Sequence, residues 1–122
     1  MFLYYLNYND ASVCYLCIGL AYQKIKEEFS KTKGELGQRE FRDLQYMNNL
    51  RNKLYNFKEA FNDRPMSFIP LELEDEELCL LCTYLRYTPL DTYDVLNNDR
   101  SYDAKLDPKN TIKKLHILSI ND

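Results

Sequence analysis

Hydrophobic positions recur every three or four residues in two long stretches of the chain, and each stretch predicts an amphipathic helix. The first stretch begins after Asn9 or Asp10 as a cap, and its apolar positions are Val13, Leu16, Cys17, Leu20, Ala21, Ile25 and Phe29. The second spans about Gln38 to Asn62, with apolar positions at Phe41, Leu44, Met47, Leu50, Leu54, Phe57 and Phe61. Because only a short segment containing Gly34 and Gly37 separates them, the two helices are predicted to form an antiparallel hairpin.

Three shorter segments have the composition of β-strands, and they cover about residues 2–8, 66–73 and 113–120. Aromatic residues dominate the first, the second alternates between two faces, and Pro70 places the second at an edge or a bulge. Residues 74–87 predict a helix, residues 88–97 predict a short capped helix, and residues 98–110 are polar and turn-like. The pattern predicts an α+β fold, with a helical hairpin and shorter helices on a small antiparallel or mixed sheet. A mostly helical bundle is the alternative.

One strand–helix segment occurs twice, 65 positions apart. Residues 6–22 align without gaps on residues 71–87. The identical pairs are Leu6/Leu71, Asp10/Asp75, Cys14/Cys79, Leu16/Leu81, Cys17/Cys82, Leu20/Leu85 and Tyr22/Tyr87. Both copies fit an extended segment, an acidic cap and an apolar helix. This pseudo-repeat predicts a pseudo-twofold core with the two helices side by side, and it indicates architecture but no chemistry.

The length and composition predict one globular domain over residues 1–122. Apolar residues make up 45% of the chain and charged residues 29%, which is a globular and not a disordered profile. The apolar start has no basic leader, and the apolar run from Ala11 to Tyr22 is too short to cross a bilayer. We therefore expect a cytoplasmic protein with reduced cysteines and no membrane contact.

The net charge of −3 conceals a strong segregation of charge along the chain. Residues 65–103 contain nine acidic and two basic residues, whereas residues 23–64 contain seven acidic and ten basic residues. An acidic surface repels phosphate backbones and membrane headgroups but attracts basic surfaces. This distribution disfavours direct binding of nucleic acid and favours a basic protein as the partner.

Two Cys-x-x-Cys pairs, Cys14/Cys17 and Cys79/Cys82, are the spacing expected for zinc binding or redox exchange. Each pair lies inside a leucine-rich helical pattern, however, whereas zinc ribbons hold such pairs in tight turns. Cysteine is among the residues most often buried in protein cores. We therefore expect four core residues and no cofactor, and a zinc site shared by all four cysteines is the less favoured alternative.

The residues that catalysis would require are few. His116 is the only histidine, and it lies in the predicted terminal strand without an identifiable partner. The three glycines form no phosphate-binding motif, and the acids of residues 74–77 are explained by the positive end of a helix dipole. The sequence therefore predicts that the protein is not an enzyme.

The leading hypothesis is a non-enzymatic protein-interaction module, a small acidic inhibitor or adaptor of the type that phages and mobile elements encode. Its acidic, tyrosine-rich surface would bind a basic partner, since tyrosine supplies rigid apolar area with a polar tip. A homodimer is compatible with the same composition. The candidate partner-binding residues are Glu76, Glu77, Tyr87, Asp91, Tyr93, Asp94, Asp99 and Tyr102.

The alternative hypothesis is a small-molecule binding protein for a nucleotide-like anion. Cations would hold the anion while its ring stacks on a tyrosine. The candidate residues for this alternative are Arg86, Arg100, Tyr102 and Lys105.

Overall fold

A computed structural model of the protein describes residues 2–31, 38–64, 66–87 and 108–120. Within these residues the elements are, in order, β1 (Phe2–Leu6), α1 (Tyr8–Lys31), α2 (Gln38–Glu59), β2 (Ile69–Leu73), α3 (Asp75–Tyr87) and α4 (Pro108–Ile120). The two strands form an antiparallel sheet. The predicted α+β fold is therefore confirmed, and helices supply most of the described structure.

The two strands share one pattern of burial. Tyr4 and Leu6 of β1, and Leu71 and Leu73 of β2, are buried, whereas the residues between them are exposed. Successive side chains of a strand point to opposite faces, so each strand buries one face against the helices. Pro70 is tolerated in β2 because each strand of a two-stranded sheet keeps one unpaired edge, where an N–H group is not required.

Helix α1 is the centre of the packing and contacts α2, α3 and α4. Helix α3 also contacts α2 and α4, and buried residues from all four helices join those of the sheet in one hydrophobic cluster. The helical members of this cluster include Val13, Cys14, Cys17 and Ile18 of α1, Leu50, Leu54 and Phe57 of α2, Leu78, Leu81 and Leu85 of α3, and Leu115 of α4.

Helices α1 and α2 form the predicted antiparallel hairpin. The ring centroids of Tyr15 and Tyr55 are 5.6 Å apart, and the guanidinium carbon of Arg51 lies 4.5 Å from the ring centroid of Tyr22. Residues further along α1 therefore meet residues earlier in α2. Helix α2 ends at Glu59, slightly before the predicted end.

The C-terminal segment is a helix, so the strand predicted over residues 113–120 is wrong. Pro108 occupies the first position of α4, where its missing N–H costs nothing. Thr111 and Leu115 are both fully buried, and residues four positions apart lie on the same face of a helix. His116 thus lies in a helix. The short helix predicted over residues 88–97 lies outside the described residues.

The two strand–helix units correspond at a spacing of 67 residues, not 65. The strands begin at residues 2 and 69 and their helices at residues 8 and 75, which is the same spacing for both. The sheet pairs Phe2 with Leu73 and Leu6 with Ile69, and exchanging the strands at this spacing reproduces those pairs. Helix α1 lies against α3, and the pseudo-twofold relation between the two units stays a prediction.

The difference of two residues matters far more in the helices than in the strands. A shift of two keeps each strand residue on the same face but turns a helix residue by about 200°. The spacing of 65 pairs buried Cys14 with exposed Cys79, whereas the spacing of 67 pairs Cys14 with Leu81, which is also fully buried. The aligned cysteines are therefore not structurally equivalent.

Candidate functional site

Each strand leads directly into its helix through a capping arrangement. The Asp10 N–H donates to Oδ1 of Asn7 at 2.8 Å, and the Asn7 N–H donates to Oδ2 of Asp10 at 3.2 Å. At the second unit the Glu74 N–H donates to Oε1 of Glu77 at 2.9 Å. Asn7 and Asp10 form a reciprocal capping box, and Glu77 makes the carboxylate half of one, in which the third residue of the helix satisfies the capping N–H. The cap of α1 is therefore Asn7, and the predicted cap at Asn9 or Asp10 is wrong.

The acid that closes each capping box also binds a lysine from another helix. The carboxylate of Asp10 is fully buried and accepts hydrogen bonds from Nζ of Lys114 at 2.6 Å and Oγ1 of Thr111 at 2.7 Å. The carboxylate of Glu77 accepts one from Nζ of Lys53 at 2.9 Å. Asp10 therefore ties α1 to α4, and Glu77 ties α3 to α2.

Four other acids at the end of β2 and the start of α3 are exposed, namely Glu72, Glu74, Asp75 and Glu76, and we name them the acidic cluster. No lysine or arginine occurs between positions 66 and 85, and Lys53 is engaged by Glu77. Acids in the first turn of α3 stabilise the helix dipole, which accounts for two of the four. Glu72 and Glu74 precede the helix and extend the negative surface beyond it.

The outer face of the sheet, opposite the helices, is largely apolar and exposed. Leu3 is 49% exposed and Tyr5 is 62% exposed. Phe68, just before β2, is 60% exposed, and its ring centroid lies 5.6 Å from Nζ of Lys114 in α4. Pro70 lies opposite Tyr5 in the sheet, and we name these four residues the outer-face patch. Glu72 lies opposite Leu3, so the outer-face patch and the acidic cluster form one continuous surface.

The four cysteines differ in burial. Cys14 and Cys17 are fully buried, Cys82 is partly buried and Cys79 is exposed, so the predicted core position is confirmed for the first pair and wrong for Cys79. Burial, reinforced by the neighbouring Cys17, raises the pKa of the Cys14 thiol well above its usual range. Burial likewise raises the pKa of Cys82, with a further contribution from Cys79. These thiols are therefore protonated, weak nucleophiles at neutral pH.

The described residues contain no group of three or more histidine, cysteine, aspartate or glutamate side chains that could hold a metal ion. All four cysteines are among the described residues, so the alternative of a zinc site shared by them finds no support. The physical reason is the helical rotation noted above, which turns Cys79 outward while Cys14 faces the core.

The structure describes only part of the predicted partner-binding set. Glu76 is exposed, Glu77 is held by Lys53, and Tyr87 is the last residue of α3. The remaining members lie outside the described residues, and they are Asp91, Tyr93, Asp94, Asp99 and Tyr102.

The alternative ligand-binding set is likewise only partly described, because Arg100, Tyr102 and Lys105 lie outside the described residues. Arg86 is exposed and borders a cavity of about 10 Å³ between α3 and α4. That volume holds at most one water molecule, so this cavity does not accept a nucleotide-like ligand.

The outer-face patch was missed by sequence reasoning because residues 2–6 are apolar on both faces of the strand. Nothing within β1 distinguishes the buried set from the exposed set. The available signal was in β2, where Glu72 alternates with Leu71 and Leu73 and so marks the outer face. Residues of β1 paired with that face must point outward as well.

Among the described residues, no helix has both the length and the apolar character needed to cross a membrane. Comparisons with protein-family models, with curated proteins and with solved structures found no match.

Proposed function

We propose that the protein is a non-enzymatic interaction module, of inhibitor or adaptor type, that binds a basic partner protein through the outer-face patch and the acidic cluster. The observation that carries this proposal is that large exposed apolar side chains lie beside exposed carboxylates, while Lys114, which lies near Phe68, is paired with the buried Asp10. Contiguous exposed apolar surface in a folded protein is typical of an interaction site.

The outer-face patch supplies the attraction. An aromatic side chain has about 200 Å² of surface, so covering the exposed parts of Tyr5 and Phe68 removes roughly 120 Å² each from water. At about 25 cal/mol per Å², each ring contributes about 3 kcal/mol before the entropic cost of association. Tyrosine at the centre of an interface is also a frequent binding hot spot.

The acidic cluster supplies the selectivity. Negative charge at the rim of an apolar patch accelerates encounter with a positive surface and penalises negative ones. Nucleic acid is therefore a poor candidate, and a protein surface with lysine or arginine around an apolar centre is the favoured one. A homodimer through the same face is the second outcome, and light scattering across a range of protein concentrations distinguishes it from a different partner.

The charge is tested by affinity capture with matched variants. In Glu72→Lys/Glu74→Lys/Glu76→Lys the acidic cluster is reversed, whereas Glu28→Lys/Asp43→Lys/Asp63→Lys reverses three exposed acids elsewhere. Both variants change the net charge equally. We expect partners of the unmodified protein to be retained by the control and lost with the acidic-cluster variant. Equal recovery with the two variants contradicts the proposal.

The apolar contribution is tested with two exposed tyrosines. Tyr5→Ser removes a ring from the outer-face patch, and Tyr46→Ser removes a ring of similar exposure from α2. We expect only Tyr5→Ser to weaken capture of the same partners, because Tyr46 lies outside the proposed surface. An equal loss in both variants indicates a general effect of tyrosine and not this surface.

A further inference from the structure

An open cleft of about 430 Å³ lies between α1 and α2, on elements that the proposed function does not use. The C-terminal half of α1 lines it with Gly19, Tyr22, Lys26 and Glu27, and α2 contributes Arg51. Its volume is within the range of sites that bind small molecules.

Two cations converge on one aromatic ring in this cleft. The guanidinium carbon of Arg51 lies 4.5 Å from the centroid of the Tyr22 ring, and Nζ of Lys26 lies 5.9 Å from it. Arg51 is half-buried, and its Nη2 donates a hydrogen bond to Oδ1 of Asn48 at 3.1 Å. Contact with the ring and this hydrogen bond hold the planar guanidinium in one orientation, which suits two-point binding of a phosphate or a carboxylate.

The balance of charge in the cleft is positive. Lys26 and Arg51 are opposed by a single described acid in the lining, Glu27. The cleft is therefore locally basic within a chain whose net charge is −3. An anion that entered would replace part of the hydration of the two cations with direct, charge-assisted hydrogen bonds.

Gly19 leaves one wall of the cleft without a side chain. A glycine inside a helix destabilises it relative to alanine, and a close approach of another element commonly explains its presence. A Cβ atom added at Gly19 would meet nothing within 4 Å, so no described neighbour requires the glycine. Glycine at position 19 therefore makes α1 less stable than alanine would, at a position where a side chain would extend from the wall of the cleft.

We propose that this cleft binds a small organic anion that combines a phosphate group with a planar ring, for which a nucleoside monophosphate is the representative. Arg51 and Lys26 hold the phosphate. The ring lies along the bare backbone at Gly19, beside Tyr22. The ligand class follows from the two cations, the aromatic ring, the bare wall and the volume together.

The first experiment is isothermal titration calorimetry of the full chain with three probes, namely adenosine monophosphate, inorganic phosphate and adenosine. We expect the monophosphate to bind at least tenfold more tightly than either fragment, because the phosphate and the ring each contribute contacts. Equal affinity for inorganic phosphate would show an anion site without ring recognition, which overturns the proposal. Equal affinity for adenosine, or no binding of any probe, overturns the proposal.

The second experiment uses variants with a matched control. Arg51→Gln should weaken binding of the monophosphate by roughly 10- to 100-fold, as expected for loss of a charge-assisted hydrogen bond. Arg64→Gln makes the same change of charge at an exposed position outside the cleft and should leave affinity within twofold. Equal effects of the two variants would mean that only overall charge matters, which overturns the assignment to this cleft.

Gly19→Ala keeps the test valid even if Arg51→Gln disturbs the fold. Alanine in place of this helical glycine should raise the melting temperature by about 3 °C, because it favours the helix and meets no neighbour. The added methyl group should nonetheless weaken binding of the monophosphate at least fivefold. A variant that is stabilised and binds as before overturns the role of the bare wall. Unaltered capture of protein partners by this variant would separate the cleft from the proposed interaction surface.

Discussion

The buried carboxylate of Asp10 should be worth far more to stability than its counterpart Glu77, although both close a capping box and bind a lysine. Asp10 is fully buried and accepts hydrogen bonds from the backbone of Asn7 and from the side chains of Thr111 and Lys114. Asp10→Asn removes the charge and leaves the shape of the side chain. Glu77→Gln makes the same change at the corresponding position of the second unit.

The loss in free energy of unfolding expected for each variant follows from the exposure of its ion pair. Removing one partner of a buried pair costs about 3–5 kcal/mol, because the other charge stays buried without compensation. Since the side chain of Lys114 is 29% exposed and can turn partly to water, we expect about 3 kcal/mol for Asp10→Asn. The Lys53 side chain is 37% exposed, and glutamine still closes a capping box, so Glu77→Gln should cost about 0.5 kcal/mol.

Urea unfolding followed by far-ultraviolet circular dichroism measures both values. For a chain of this length, 3 kcal/mol corresponds to a fall of roughly 10–12 °C in melting temperature, and 0.5 kcal/mol to about 2 °C. A double-mutant cycle with Lys114→Met isolates the pair, and hydrogen exchange of amides 111–115 reports whether α4 separates from α1 first. Costs for Asp10→Asn and Glu77→Gln that agree within 1 kcal/mol, or additive effects in the cycle, would refute the reasoning.

Three further predictions concern the thiols and the core. Iodoacetamide should label exposed Cys79 first and buried Cys14 last in the native protein, and peptide mass spectrometry at successive times would contradict this if the two were modified together. Because burial raises the pKa of Cys14, folding favours its protonated form. The contribution of this thiol to the free energy of unfolding should be fully present below the ordinary thiol pKa of about 8.5 and should decline as the pH rises beyond it. In Cys14→Ala this alkaline decline should be smaller, as urea unfolding at several pH values would show. Leu54→Ala should cost about 2–5 kcal/mol because Leu54 is fully buried, while exposed Asn52→Ala should stay within about 0.5 kcal/mol, and similar costs would place Leu54 outside the core.

The helical hairpin and β2 were predictable because their signals are local. The spacing of apolar residues along α2 and the alternation around Glu72 each describe a single element without reference to any other. The terminal segment was not predictable in this way. Its branched residues Ile112, Ile117 and Ile120 favour a strand locally, whereas burial of Leu115 against other helices makes it helical.

The predicted repeat also shows the difference between what local sequence signals indicate and what tertiary packing determines. Identical residues of the predicted repeat are 65 positions apart, but the starts of the strands and helices and the N-terminal caps of α1 and α3 are 67 positions apart. The sequence alignment matches residues of the same type, whereas equivalent positions in the structure match in burial. Cys14 and Leu81 satisfy burial with different side chains.

The amino-acid sequence by itself determined the two long helices, the acidic segment and the scarcity of catalytic groups, because composition and hydrophobic period are properties of neighbouring residues. Only the tertiary structure decided which face of β1 is exposed, which acid is buried against Lys114 and which residues meet in the cleft between α1 and α2. Tyr22 and Arg51 are 29 positions apart, and their contact depends on how two helices pack. Periodicity identifies the face that a helix buries, but it does not identify the residue that the opposing helix places against it.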